Sequence, residues 1–233
     1  MRPVNRGACP KNEDGTDTVF TEYKNARRDL IRRMGDYCSY CEARLPSSLA
    51  VEHVKPKKPP GANQVDLARA LSWDNFLLAC TNCNSTKGDI DVVITDYLWP
   101  DCDNTFAAFV YSEGGIVSVR QSTVMVKAQN MITLVGLDKR LDRADASARR
   151  WLNRKEVWDI ATESRDDLAH NDIVALRKQI AITAKGYGFW SVWMTVFAHD
   201  EDMLTRFLSC QPGTSTECFD ARCISVARPG GQC

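Results

Sequence analysis

Cys38-Ser39-Tyr40-Cys41, then Val51-Glu52-His53-Val54, then Asp74-Asn75-Phe76, then Cys80-Thr81-Asn82-Cys83-Asn84-Ser85-Thr86-Lys87-Gly88 form the stretch on which the reading of this chain turns. Two cysteine pairs, each with a two-residue spacer, offer four soft thiolates, and that spacer lets both sulfurs of a pair reach one ion. The pattern predicts one tetrahedral structural Zn²⁺ on Cys38, Cys41, Cys80 and Cys83. Thirty-eight residues separate Cys41 from Cys80, too many for a minimal zinc ribbon, so the two clamps enclose something of use. Within that interval lies Glu52-His53, the one acid-histidine pair of the chain that also sits beside metal-ligand cysteines.

These residue types suit hydrolysis of a phosphodiester. That reaction needs an activated water, a cation to stabilise charge on the phosphorane and the leaving oxygen, and a cradle for the phosphate. His53 is the candidate general base, because neutral imidazole has a pKa near the operating pH. The Glu52 carboxylate and the Asn84 side-chain carbonyl form a hard, oxygen-rich pair suited to Mg²⁺ or Mn²⁺. Adjacent strand residues point to opposite faces, so this reading needs the chain to bend near Lys55-Pro56. Asn75, polar amid Trp73, Phe76, Leu77 and Leu78, is expected to hold the loop carrying His53 or fix the ring. Lys87 and Lys55 are the expected phosphate contacts. For Asn84 and Lys87 the plain alternative is a helix cap and a solvated helix end.

At 233 residues the chain is long enough for a substantial hydrophobic core, and 44% apolar with 26% charged residues is ordinary for a globular protein. The zero formal net charge conceals an asymmetry: residues 1–60 hold twelve Lys or Arg against eight Asp or Glu. Arg27, Arg28, Arg32, Arg33, Lys55, Lys57 and Lys58 fall near the proposed site, a basic field suited to a phosphate-bearing partner. MRPVNRGACPKNEDG lacks the apolar run of a signal peptide, and the longest strongly apolar stretch, residues 188–198, is about half of the roughly 20 residues a membrane span needs. A cytoplasmic protein is expected, with no membrane partner. In a reducing compartment metal ligation accounts for four of the ten cysteines better than disulfides do.

The periodicity predicts a helix over 16–35 with Thr16 or Asp17 as N-cap and Gly35 as stop. A short strand follows over 49–54, then the surface loop KPKKPPGANQ, a strand over 73–79, and a short helix over 82–87 ended by Gly88. Two strands, a loop and a helix make a ββα arrangement. Beyond residue 90, segments 105–111 and 116–119 alternate about Glu113-Gly114-Gly115 as a β-hairpin. Helices are expected over 124–134, 141–161 (carrying Leu141, Ala144, Ala148, Trp151, Leu152 and Trp158), 167–185 and 189–207. The fold class is therefore α+β, with a module over 1–95 and a hairpin and mainly helical region over 96–233 that serves docking. The tryptophans are read as packing residues, and His170 and His199 as ordinary helix histidines.

Taken together, CxxC, acid-His, Asn and CxxCN with a following Lys resemble the HNH, or His-Me finger, nuclease superfamily in its zinc-stapled ββα-metal form, over about residues 37–89. The resemblance implies that His53 activates water, that Asn75 orients it, and that Glu52 and Asn84 bind the divalent ion. Two letters depart from the family pattern: the acid is Glu where Asp is common, and the third motif residue is Asn where the family name has His. MRPVNRG, RRDLIRRMGDYCSYCE, LAVEHVKPK, WDNFLLACTNCNSTKGD and QPGTSTECFD look, over most of the chain, like the HNH subunit family of Septu-type antiphage systems, called PtuB. That similarity implies an endonuclease effector of antiviral defence controlled by an ABC-type or SMC-like ATPase, PtuA. In some such systems a retron reverse transcriptase and its small DNA-RNA hybrid take part.

A non-catalytic zinc-binding nucleic-acid recognition module is the alternative, but it gives no reason for Glu52-His53, Asn75 and Asn84 in that order. A redox CxxC protein lacks its βαβ setting here. Cys210, Cys218, Cys223 and Cys233 are too irregularly spaced for a second metal site and are read as ordinary thiols. Both DNA and RNA, including transfer RNA, remain open as substrate, since this chemistry needs no 2′-hydroxyl.

Overall fold

The structure, a computed structural model, describes residues 1–140 and 149–233. The cysteine-rich stretch folds around a two-stranded antiparallel sheet of β1 (Ala50–His53) and β2 (Phe76–Ala79), in register Ala50↔Ala79 through His53↔Phe76. Both strands are almost wholly buried: β2 is an apolar run, whereas β1 buries Glu52 and His53 as well as Val51. Helix α3 (Thr81–Lys87) follows β2 directly and stops at Gly88, whose φ of 59° suits a residue without Cβ. This is the expected ββα unit.

The knuckle between Cys38 and Cys41 is pinned to β2 by the Ser39 amide donating to the Leu78 carbonyl (2.8 Å). Glu42, just past it, holds a left-handed φ of 67°. Buried partners on three distant elements hold this unusual backbone. The Met1 ammonium lies 3.3 Å from the Glu42 carboxylate, Tyr111 Oη donates to it at 3.1 Å, and the Ser191 amide and hydroxyl each donate at 2.7 Å.

The N-terminal helix is shorter than the periodicity predicts. Residues 23–26 form a 3-10 turn and only α1 (Arg27–Met34) is α-helical. Upstream, Asp14 accepts from the Thr16 amide and hydroxyl, and Asn12 donates to Thr16, so these side chains hold the backbone in a turn in place of capping a helix. The segment after the proline-rich loop forms α2 (Leu67–Leu71), capped by Asp66.

Past the module, residues 105–108 are helical (α4, Thr105–Ala108) where a strand was expected, because Asn104 caps them. The hairpin is thus β3 (Phe109–Ser112) and β4 (Ile116–Val119), turning through Gly114 and Gly115. Then come α5 (Met125–Val135), α6 (Arg149–His170), α7 (Val174–Tyr187), α8 (Trp190–Val196) and α9 (Glu201–Cys210). Leu141, Ala144 and Ala148 of the expected helix over 141–161 lie outside the described residues. The expected helix over 189–207 breaks at Asp200, whose carboxylate accepts from the Met203 amide and restarts the chain as α9.

Packing runs across the division expected at 95/96. One apolar cluster joins Met1, Leu30, Phe76 and Cys83 to Met131, Trp190, Trp193 and Phe207. Trp190 and Trp193 pack as read, fully buried, and Trp158 packs against the cluster, while half-buried Trp151 donates to the Gly114 carbonyl at 2.8 Å. The buried face of α6, however, carries Arg150, Arg154, Val157, Ala161 and Leu168, while Leu152 is exposed. Arg154 donates to the Gly115 and Leu137 carbonyls, which is why a charged side chain is kept on this buried face. Among the described residues no helix is long and apolar enough to cross a membrane.

Candidate active site

The four cysteines of the two CxxC pairs are buried, and their sulfurs lie within 4.8 Å of one another. The Cys41 and Cys80 sulfurs are 3.7 Å apart. Four sulfurs each roughly 2.3 Å from one ion sit about 3.8 Å from each other at tetrahedral angles, so the cluster fits Zn²⁺. All ten cysteines are free of disulfides, and among the described residues this is the one group of metal-type ligands. Cys210, Cys218, Cys223 and Cys233 form no second cluster there.

His53 ends β1 with its ring wedged edge-on against Tyr23 and Phe76, centroids 4.9 and 5.3 Å away. Its Nε2 lies 3.1 Å from the Ala70 carbonyl on α2. A carbonyl can only accept, so Nε2 carries the proton and Nδ1 is left as the basic nitrogen. Burial lowers the His53 pKa from its ordinary value, so the imidazole is neutral at physiological pH.

Asn75 makes three side-chain bonds, all to backbone. Its oxygen accepts from the Lys55 amide at 2.7 Å, and its amide donates to the Lys55 and Arg69 carbonyls at 2.8 Å each. Of the two roles expected from the residues, the geometry displays the loop clamp: both amide hydrogens are engaged by backbone. The clamp joins the chain leaving His53 to the helix that carries Ala70.

Glu52 is buried, and its Oε1 sits 2.9 Å from Lys87 Nζ without an aligned hydrogen bond. Burial raises its pKa while Lys87 opposes the shift. Lys87, expected to meet a phosphate, is only 1% exposed and donates to the His53 carbonyl at 2.8 Å. The structure thus turns its ammonium inward, because a buried carboxylate and a strand-end carbonyl both need a cation or donor there. Lys55 is half-buried and does not line the cleft.

His53, Glu52 and Asn84 do share one cavity, of about 510 Å³, walled also by Lys57, Lys58 and Asp89. Lys57 Nζ stands 4.3 Å over the Tyr23 ring. Glu52 and Asn84 bring to this wall oxygen donors of the hard kind a divalent cation takes, with Lys87 Nζ already 2.9 Å from Glu52 Oε1. The lysines that line this cavity are Lys57 and Lys58, from the proline-rich loop. The Ala70 carbonyl is a backbone group with no side-chain signal. Asp89 follows the helix stop and is foreseeable only as one more surface acid.

No curated protein significantly matches the chain. Residues 38–89, the interval from the first zinc-type cysteine to just past the end of the ββα unit, match the family model described as HNH endonuclease and carry the four-cysteine cluster.

Proposed function

We propose that the chain is a metal-dependent HNH endonuclease that hydrolyses nucleic-acid phosphodiester bonds. The observation that carries this reading is the shared cavity of His53, Glu52 and Asn84, with the His53 tautomer set by the Ala70 carbonyl. His53 Nδ1 takes the proton of the attacking water, and neutral imidazole at physiological pH is the form that can do so. Asn75 keeps the chain leaving His53 in place through its three backbone bonds. Glu52 and Asn84 would hold Mg²⁺ or Mn²⁺, which when bound supplies positive charge to the phosphate and leaving oxygen. Lys57 and Lys58 attract the nucleic-acid backbone into the cleft. The cysteine cluster would hold zinc and tie the knuckle of residues 38–41 to the start of α3.

The test is incubation of the purified protein with plasmid DNA and with total RNA, with and without Mg²⁺, beside His53→Ala. Cleavage of either substrate that needs the metal and falls about 10²- to 10⁴-fold in the variant supports the mechanism. Undiminished cleavage by His53→Ala refutes it, and absence of cleavage with retained nucleic-acid binding favours the recognition-module alternative.

The similarity to Septu-type HNH subunits, spread over most of the chain, supports a finer reading: an antiviral effector kept silent by an ABC- or SMC-like ATPase of the PtuA kind, in some systems with a retron reverse transcriptase and its DNA-RNA hybrid. Docking is assigned to the helices after residue 120. Helix α7 exposes Val174 (73%) and Ile182 (52%), two turns apart on one face. Val174→Glu with Ile182→Glu should abolish co-purification with the ATPase while sparing zinc content. Full recovery of the ATPase with that double variant refutes this placement.

A further inference from the structure

We infer that Arg150 supplies one of the positive charges that the four-cysteine zinc site needs and is a positioning residue for it, so that seating of helix α6 and retention of the metal are coupled. One Zn²⁺ with four thiolates carries a net double negative charge, and in a buried site that charge demands compensation. The Arg150 guanidinium, on a residue 6% exposed, donates to Cys83 Sγ at 2.9 Å. Among the described residues it is the cation hydrogen-bonded to a sulfur of the cluster.

The same guanidinium donates to the Val135 carbonyl at 2.8 Å and the Gly136 carbonyl at 3.1 Å. These belong to the C-terminal end of α5, where carbonyls lack helical partners and the helix dipole is negative. One planar fork therefore joins the zinc knuckle, the end of α5 and α6. Lysine cannot reproduce this, since its ammonium is a single point donor and lacks the fixed fork that spans three acceptors. Arg154, one turn on, ties α6 to the hairpin through Gly115 and to Leu137, so the helix is anchored on both sides of the contact. Residues that hydrogen-bond to metal ligands orient them and raise affinity, and their loss costs roughly 10- to 100-fold.

The inference rests on the zinc reading of the cysteine cluster and not on nuclease activity. Zinc release from the full-length protein into excess EDTA is followed with a metallochromic dye for wild type, Arg150→Met and Arg150→Lys, with circular dichroism as the folding control. Arg150→Met should lose zinc at least about tenfold faster than wild type, with Arg150→Lys between the two. Release of zinc from Arg150→Met at the wild-type rate overturns the inference, whereas wild-type protein without zinc overturns the metal site itself. Should Arg150→Met fail to fold, hydrogen exchange of wild type before and after zinc removal decides. Exchange should rise together in residues 81–87 and 149–157, and a rise confined to 81–87 overturns the coupling.

Discussion

Replacing Asn75 by alanine removes three bonds at once: the acceptor for the Lys55 amide and the donors to the Lys55 and Arg69 carbonyls. Each bond is worth about 0.5 to 1.5 kcal/mol net, so the loss is about 1.5 to 4.5 kcal/mol, partly recovered where water reaches the freed carbonyls. Domains of this kind hold about 5 to 15 kcal/mol, so Asn75→Ala folds but stands on a reduced margin. Asn75→Asp is no rescue: a carboxylate keeps the acceptor for Lys55 but faces two carbonyl oxygens with no hydrogen to give. Urea unfolding followed by tryptophan fluorescence, with zinc and reductant present, measures the stability change. Hydrogen exchange over residues 54–58 and 67–72 reports whether the damage is local to the clamp. A change below about 0.5 kcal/mol, within the range of an ordinary surface substitution, would refute the reasoning. Nuclease activity lost without any change in stability or exchange would return Asn75 to the other role the resemblance implied, orienting the water.

His53 has its pKa lowered by burial, so the base stays neutral as pH falls through its ordinary value near 6.5, and the acid limb of a kcat/KM profile should have its midpoint below that value. The stability tied to His53 is present above pH 6.5 and is lost as pH falls through the lowered pKa; an acid limb centred above 6.5 contradicts the burial argument. Lys57→Ala and Lys58→Ala should each lower the slope of log affinity against log salt by about 1 on a DNA or RNA duplex, with melting temperature unchanged. Lys87→Ala strands the buried Glu52 carboxylate and should cost about 3 to 5 kcal/mol of stability; a variant that melts like wild type but binds nucleic acid more weakly would put Lys87 back at the phosphate.

What the sequence alone determined was the local chemistry. CxxC brings two sulfurs to one point through its own short spacer, and Gly88 ends a helix because of its own backbone freedom, so the cysteine cluster and α3 were legible in residue order. The ββα unit was legible too, since β1 and β2 lie between the clamps and α3 carries the second of them, whereas α2 between the two strands was not. The direction of charged side chains was not. Lys87 reads as the solvated end of a short helix, and only the pairing of β1 beneath α3 makes it the buried partner of Glu52 and of the His53 carbonyl. Arg150 reads as one more polar residue of a helix, yet the buried side of α6 is chosen by the orphan carbonyls of α5 and by a thiolate 67 positions away. The Ala70 carbonyl that sets the His53 tautomer has no side-chain signature at all. In each case the deciding term is the cost of burying an unpaired charge or polar group, and that cost depends on which distant elements tertiary packing brings against it.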